Sequence, residues 1–194
     1  MWALVTDGSI TKIINQPKPL VIGDTQYSRN IFSFRWSNEE REAIGLYEVV
    51  FDNTNKKDEA YYTNTNQTFA FADGAVTASY GSATAKALAD VINEDDSITK
   101  GLKTKHKDII KLQASGLLTN YDWYVVRKAD AGTAIPSAVT TYRAAVRTKS
   151  GEMETLINNA ANVDALATLY EYVNTGTEEN PVMERPLGEF PEAV

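Results

Sequence analysis

The side chains that most often carry acid–base or metal chemistry are scarce in this chain. His106 is the only histidine and there is no cysteine, so disulfides and thiolate metal sites are excluded. Metal sites and acid–base pairs usually need more imidazole than one residue supplies. His106 lies among lysines on a predicted helix, and we interpret it as a surface residue. The sequence also lacks a GxSxG nucleophile elbow, a glycine-rich phosphate loop and a calcium-binding loop.

Carboxylates are the remaining catalytic candidates, because glycosidases act through a pair of them. The candidates are Glu39, Glu40, Asp52, Glu94, Asp95 and Asp96. Glu39 and Glu40 already favour the dipole in the first turn of a predicted helix, and Asp95 and Asp96 lie at a predicted helix boundary. The sequence therefore predicts no catalytic, cofactor-binding or metal-binding residue, and no small-molecule substrate.

The overall charge argues against a nucleic-acid partner. The net charge is −7 and the sequence pI is about 4.8, and an acidic chain repels phosphates. One basic cluster, which we interpret as a solvated helix face, consists of Lys100, Lys103, Lys105, Lys107 and Lys111. No stretch approaches the roughly 20 apolar residues that span a membrane, and residues 1–14 do not read as a signal peptide. We expect a protein that is made and kept in a cytosol, with no membrane partner.

The first 80 residues have the short apolar runs that are typical of β-strands. Asp7-Gly8 and Asp73-Gly74 each separate two such runs, and both residue types tolerate the positive φ of a hairpin turn. We therefore predict two hairpins around these dipeptides. The predicted strands cover residues 2–5, 10–14, 46–52, 61–62, 69–71 and 76–80.

A capping-box pattern interrupts this β-rich region. The Ser37 hydroxyl is placed to accept from the Glu40 amide while the Glu40 carboxylate reaches back to Ser37. A short helix over residues 38–44 should follow and end at Gly45, since glycine tolerates the left-handed conformation after a helix.

From Ser82 onward the apolar period becomes helical. The expected stripes contain Ala85, Leu88, Ala89 and Ile92, then Ile98, Leu102, Ile109 and Leu112, then Val139, Tyr142, Val146, Met153, Leu156 and Ile157. Pro136 suits the start of the third of these helices, and Gly151 is expected to interrupt it. Asp122 can cap a short element of either type, and Asn162 can cap a last helix.

The switch in apolar period predicts an α+β fold with two domains. A β-rich domain with one short helix covers residues 1–80, and a helical domain covers residues 81–174. Residues 175–194 are polar and carry Pro181, Pro186 and Pro191. We expect this segment to be an extended tail, ordered only where a partner or a neighbouring subunit holds it.

Three motifs at fixed spacings support a resemblance in the helical domain. They are a D-W-x-x-x-R core at 122–127, Ile135-Pro136, and a Y-R-x-x-x-R pattern at 142–147. Together they are similar to the C-terminal module of bacteriophage tail-fibre-assembly or tail-assembly-chaperone-like proteins, a module that also occurs in virion structural proteins. Residues 31–49, with Trp36-Ser37-Asn38-Glu39-Glu40-Arg41 at their centre, resemble a segment of small phage tail-gene products.

This resemblance implies a protein–protein role for a small set of residues. The candidate interface consists of Trp123, Arg127, Tyr142, Arg143 and Arg147. From helical spacing we expect Trp123 and Val126 to pack under Tyr142, with Arg127 turned outward or paired with a carboxylate such as Asp122. The arginines are then either solvated ion-pair partners or contacts to another virion protein. The aromatic residues fill small cores or anchor an interface, since both uses are common.

The resemblance implies a structural protein of the phage virion rather than an enzyme. The expected location is the tail, baseplate or fibre attachment, and the expected partners are other tail or virion proteins and further copies of the chain. The alternative is an assembly chaperone for the tail or tail fibre that is absent from finished particles. A tail enzyme or sugar-binding module is the third interpretation.

Overall fold

The computed structural model describes all 194 residues, which form two compact units, Met1–Thr84 and Ala85–Val194. The first unit is built mainly from strands and the second mainly from helices. The predicted α+β class is therefore confirmed. The boundary between the units lies four residues after the end of the predicted β-rich domain.

The first unit contains strands β1 to β8, one 3-10 helix and helix α1. The strands are β1 (Trp2–Thr6), β2 (Ser9–Ile14), β3 (Leu20–Ile22), β4 (Thr25–Tyr27), β5 (Leu46–Asp52), β6 (Tyr62–Thr63), β7 (Gln67–Ala72) and β8 (Ala75–Tyr80). The 3-10 helix is Arg29–Phe32 and α1 is Asn38–Ala43. Five strands form one sheet in the order β2-β1-β5-β8-β7, in which only β5 and β8 run parallel.

Both faces of this sheet are packed. Because successive side chains point to opposite faces, Ala3 and Val5 of β1 enter one core with Val49, Val76 and Ala78. The second core gathers the buried residues Ile14, Leu20, Ile31 and Leu46 and is completed by Trp2, Ile22, Tyr27, Phe32, Trp36 and Ile44. The β3–β4 hairpin, which the sequence reading missed, supplies Leu20 to this second core.

The predicted turns and cap of the first unit are confirmed. Asp7 and Asp73 have φ values of 51° each, and the glycines that follow them are also left-handed. The Glu40 amide donates to Ser37 Oγ at 3.2 Å, and the Ser37 amide donates to Glu40 Oε2 at 2.7 Å. Local sequence therefore determines these features, since each is built from residues at most three positions apart.

Gly45 is required where α1 meets β5. Its φ is +79°, and a Cβ atom built there would lie 2.4 Å from the carbonyl oxygen of Val5. The Val5 amide donates to the Gly45 carbonyl oxygen at 2.8 Å, so the two backbones are bonded at this crossing. Both the left-handed conformation and the close approach exclude a side chain.

The second unit is a helical body with short strands. Its helices are α2 (Leu102–Thr119), α3 (Asp122–Ala131), α4 (Ser137–Asn159) and α5 (Val163–Thr168). The strands are β9 (Thr84–Ala85, at the boundary between the units), β10 (Val91–Ile92), β11 (Ile98–Thr99), β12 (Val173–Asn174) and β13 (Met183–Glu184). The Asn162 side chain caps α5 by accepting from the Ala165 amide at 2.8 Å, as predicted.

The predicted helix after Ser82 is wrong. Val91 and Ile92 instead pair with Ile98 and Thr99 in a two-stranded hairpin, which suits their β-branched side chains. The preceding backbone caps α2, since the amides of Leu102 and Lys103 donate to the carbonyls of residues 87 and 88 at 2.9 and 3.1 Å. An eight-residue apolar stripe is too short to hold a helix without packing.

The apolar stripe of α2 was also placed on the wrong face. Leu102 is buried as expected, but Ile110 and Ala114 complete the buried face, whereas Ile109 and Leu112 are 49% and 74% exposed. On α4 the predicted residues are buried except Leu156, and the helix continues through Gly151. Gly151 meets no neighbour within 4 Å, so it costs propensity but breaks no contact.

Residues 175–194 pack on their own unit, whereas the sequence predicted an extended tail that only a partner or a neighbouring subunit would order. Strands β12 and β13 pair antiparallel around residues 175–182, and Leu187 beyond them is fully buried. The Leu187 amide donates to the Leu169 carbonyl at 3.0 Å, and Phe190 packs against the core around Tyr142. Two apolar side chains, Leu187 and Phe190, therefore pack the segment against its own unit. No helix of the protein is both long enough and apolar enough to cross a membrane.

Candidate interaction surface on helix α3

Helix α3 is the element that carries the D-W-x-x-x-R motif, and it contains no buried residue. It starts with Asp122 in the first turn, where a carboxylate favours the helix dipole, and stops at Gly132, which has a φ of +67°. Trp123, Val125 and Val126 are 51%, 43% and 65% exposed. The apolar face of this ten-residue helix is therefore not packed against the rest of its own unit.

Arg127 stacks on two aromatic rings at this surface. Its Cζ lies 4.7 Å from the ring centroid of Trp123 and 5.2 Å from that of Tyr124, and the two rings are themselves 3.8 Å apart. Arg127 forms no ion pair, and its Nε atom is buried without a hydrogen-bond acceptor. The stack fixes a cation beside an exposed tryptophan, which is a residue pair favoured at interfaces.

Arg143 connects three helices. It is 8% exposed, and its Nη1 atom donates both to the Leu118 carbonyl at the end of α2 and to Asp122 Oδ1 at the start of α3, each at 2.8 Å. A guanidinium is suited to this because it offers several donors in a fixed plane. Arg143 therefore positions α3. It forms an ion pair, as one of the two interpretations predicted, but it is buried rather than solvated.

Tyr142 is a core residue. It is 3% exposed and packs with Ala114, Val146 and Tyr121, whose ring centroid is 5.0 Å away. Its hydroxyl is buried without a hydrogen-bond partner. Burial, with a smaller contribution from Tyr121, raises the pKa of Tyr142 above its ordinary value. The expectation that Trp123 packs under Tyr142 is wrong, because Tyr121 takes that place.

Arg147 lies one turn beyond Arg143 and borders an open groove of about 510 Å³ between α2 and α4. The groove has Ala114 and Leu118 in its lining and also contains Lys111, which pairs with Glu154 at 3.4 Å. Arg147 itself is exposed and makes only a long bond of 3.4 Å to the Arg143 carbonyl. Of the five predicted interface residues, Trp123, Arg127 and Arg147 therefore reach the surface, while Tyr142 and Arg143 support it.

The chemical candidates of the sequence do not assemble around this surface. His106 is half-buried, with its ring 4.8 Å from that of Tyr170, and burial lowers its pKa. Asp95 accepts from the Ser97 hydroxyl at 2.6 Å, which lowers the pKa of Asp95 within the β10–β11 turn. No group of three or more His, Cys, Asp or Glu residues is arranged to hold a metal ion.

Tyr121 and Tyr124 also contribute to this surface, although the sequence-based candidate interface did not include them and left their role open between core and interface. Their rings lie 6.5 Å apart in a stacked arrangement and link the Tyr142 core to the Arg127 stack. Tyr121 directly precedes α3 and Tyr124 follows Tyr121 by three positions, and this helical spacing was the sequence signal that the two rings lie side by side. Comparison of the chain with known protein families, with curated proteins and with solved structures found no match.

Proposed function

We propose that this chain is a structural component of a bacteriophage virion, in the tail, baseplate or fibre attachment, and that it acts by oligomerising and docking onto other virion proteins. The observation that carries the docking role is α3, which exposes Trp123 and Val126 and stacks Arg127 beside them without burying any residue of its own. The phage setting is supported by the resemblance of residues 122–147 to phage tail modules.

Three physical arguments favour docking through this surface. A helix of ten residues is marginal in water unless an apolar face is packed, so cover by a partner would stabilise α3. Tryptophan and arginine are enriched among the residues that dominate binding energy at interfaces. The stack is also anchored, since Arg143 ties the start of α3 to α2 and α4 and so presents the surface without a large ordering cost.

A mass-spectrometric inventory of purified phage particles tests the structural role. Stoichiometric presence of the chain is expected. The alternative is a tail or tail-fibre assembly chaperone, which the net charge of −7 and the small size of the chain favour. Particles that require the chain for assembly but do not contain it when finished would support this alternative.

A matched pair of variants tests the surface. Trp123→Ala should reduce incorporation into particles at least tenfold, because truncating a central aromatic residue of an interface commonly costs about 2 kcal/mol. Phe34→Ala is the control, since Phe34 is 94% exposed but lies in the first unit. Equal loss with both variants would contradict the assignment of α3 as the docking surface.

A further inference from the structure

The β12–β13 hairpin is a second ordered surface feature of the helical unit. The Thr175 amide donates to the Val182 carbonyl at 2.8 Å, and Asn174 Oδ1 accepts from the amides of Gly176 and Val182 at 3.0 and 2.9 Å. The Thr177 amide closes the tip by donating to the carbonyl of residue 180 at 3.1 Å. These bonds hold the tip in one shape although it is exposed.

The hairpin combines acidic and apolar side chains. Glu178 and Glu179 lie at its tip and are exposed, and neither forms an ion pair. Val173, Val182 and Met183 beside them are 49%, 48% and 56% exposed. The hairpin is therefore an acidic tip on an apolar stem.

The α3 surface has the opposite character. Its apolar part is Trp123 and Val126, and its charged part contains the cations Arg127 and Lys128, which form no ion pair, together with the exposed carboxylate of Asp130. No hydrogen bond, ion pair or ring contact joins residues 173–184 to α3 within one copy of the chain. Each surface thus remains available to another molecule.

We propose that the β12–β13 hairpin of one copy docks on the α3 surface of the next copy, head to tail. Glu178 and Glu179 then pair with Arg127 and Lys128, while the apolar stem packs against Trp123. This inference rests on the proposed function and identifies one partner of the α3 surface, which is a second copy of the chain. Charge complementarity carries it. The hairpin tip has two unpaired carboxylates, whereas α3 has two unpaired cations against the one carboxylate of Asp130, and both surfaces expose apolar side chains beside these charges.

Such a contact has a defined consequence for assembly. A heterologous interface does not close after two copies, so it builds rings or filaments, as a repeated tail component requires. The proposed contact involves only a few side chains from each copy, whereas a standard interface buries roughly 800 Å² per partner. A single contact is therefore weak, and association should depend on protein concentration and weaken with added salt.

Sedimentation velocity of the full chain, from about 10 to 500 µM, tests the proposal with two double variants. We expect the wild-type chain to self-associate. Glu178→Lys with Glu179→Lys should raise the dissociation constant at least tenfold, and Arg127→Glu with Lys128→Glu should do the same, since each places like charges opposite one another. Mixing the two variants should restore association, because the reversed charges are again complementary.

The control is Lys12→Glu with Lys105→Glu, which changes the net charge as much as the α3 variant but at exposed lysines elsewhere. It should associate like the wild type. Circular dichroism confirms that each variant is folded before it is scored.

Three outcomes overturn the proposal: a wild-type chain that stays monomeric over this range, an effect of the α3 variant alone, which indicates an α3–α3 contact, or no recovery on mixing. A monomeric chain that is nevertheless stoichiometric in phage particles would refute this inference and leave the proposed function standing.

Discussion

Each compact unit stacks an arginine on a tryptophan, and the two pairs differ in what surrounds them. Arg41 Cζ lies 4.8 Å from the Trp2 ring centroid, and Arg127 Cζ lies 4.7 Å from that of Trp123. Arg41 is 6% exposed and donates to two backbone carbonyls and one side-chain amide oxygen. Arg127 has no ion pair, and its tryptophan is half exposed.

The difference shows that stacking geometry does not decide the role of such a pair. The remaining donors of the guanidinium decide it. Where the fold supplies their acceptors, as around Arg41, the pair stabilises the unit, because a buried donor or acceptor without a partner costs about 1–3 kcal/mol. Where the fold supplies no acceptor, as for the buried Nε of Arg127, the stack adds little stability, and the half-exposed ring of Trp123 is left for a partner molecule to cover. Arg41→Ala and Arg127→Ala test this contrast directly, and Gly45→Ala and Tyr142→Phe test how closely each unit is packed.

Arg41→Ala should have the largest effect. It leaves the carbonyls of Ile31 and Ser33 buried without their donor and removes a side chain from beneath α1, so we expect a loss of about 4 kcal/mol in the free energy of unfolding. Urea denaturation followed by circular dichroism measures it. Arg35→Ala, at an exposed arginine six residues earlier, should change stability by less than about 0.5 kcal/mol. If both variants lost a similar amount of unfolding free energy, the structural role assigned to Arg41 would be contradicted.

Gly45→Ala tests how tightly the first unit closes. The new Cβ would meet the Val5 carbonyl oxygen and force a left-handed alanine, so we expect a loss of about 2–3 kcal/mol in the same denaturation experiment. Gly23→Ala separates the two causes. Gly23 also has a positive φ, +58°, but meets nothing within 4 Å, and its loss should be only about 1 kcal/mol. If Gly23→Ala cost as much as Gly45→Ala, the close approach would be irrelevant.

Arg127→Ala should have a small effect on stability. The stack is at the surface, where a cation–π contact contributes about 0.5–1 kcal/mol, and no acceptor is left unpaired. Thermal unfolding of the dilute chain measures this loss. A destabilisation comparable with that of Arg41→Ala would show that the two stacks have the same structural role and would end the contrast between them.

Tyr142→Phe should leave stability unchanged or raise it by up to about 1 kcal/mol at neutral pH, because the lost hydroxyl has no hydrogen-bond partner. At high pH the gain should grow. Burial raises the pKa of Tyr142 in the folded state, so the folded chain holds a proton that the unfolded chain has lost, and stability falls as pH rises above about 10. Denaturation of both chains at pH 7 and 10.5 measures the difference, and an unchanged alkaline loss in the variant would contradict this reading.

Sequence alone was sufficient where a feature is built from neighbouring residues. The Asp-Gly hairpin turns, the Ser37–Glu40 capping box and the Asn162 cap all formed as predicted, because each is built from residues at most three positions apart. The strand predicted over residues 46–52 has the observed bounds for the same reason, since a run rich in apolar and β-branched residues between Gly45 and a polar loop is a local signal.

Tertiary structure decided the features that depend on distant partners. Ile109 and Ile110 are equally apolar, and only the position of α4 selects Ile110 for burial. The same holds for Arg143, whose acceptors are 21 and 25 positions away, and for Leu187, which is buried by helices the sequence reading did not connect with the tail. A helix surface offers several apolar faces of similar quality, and burial of one of them is fixed only when the neighbouring elements have packed.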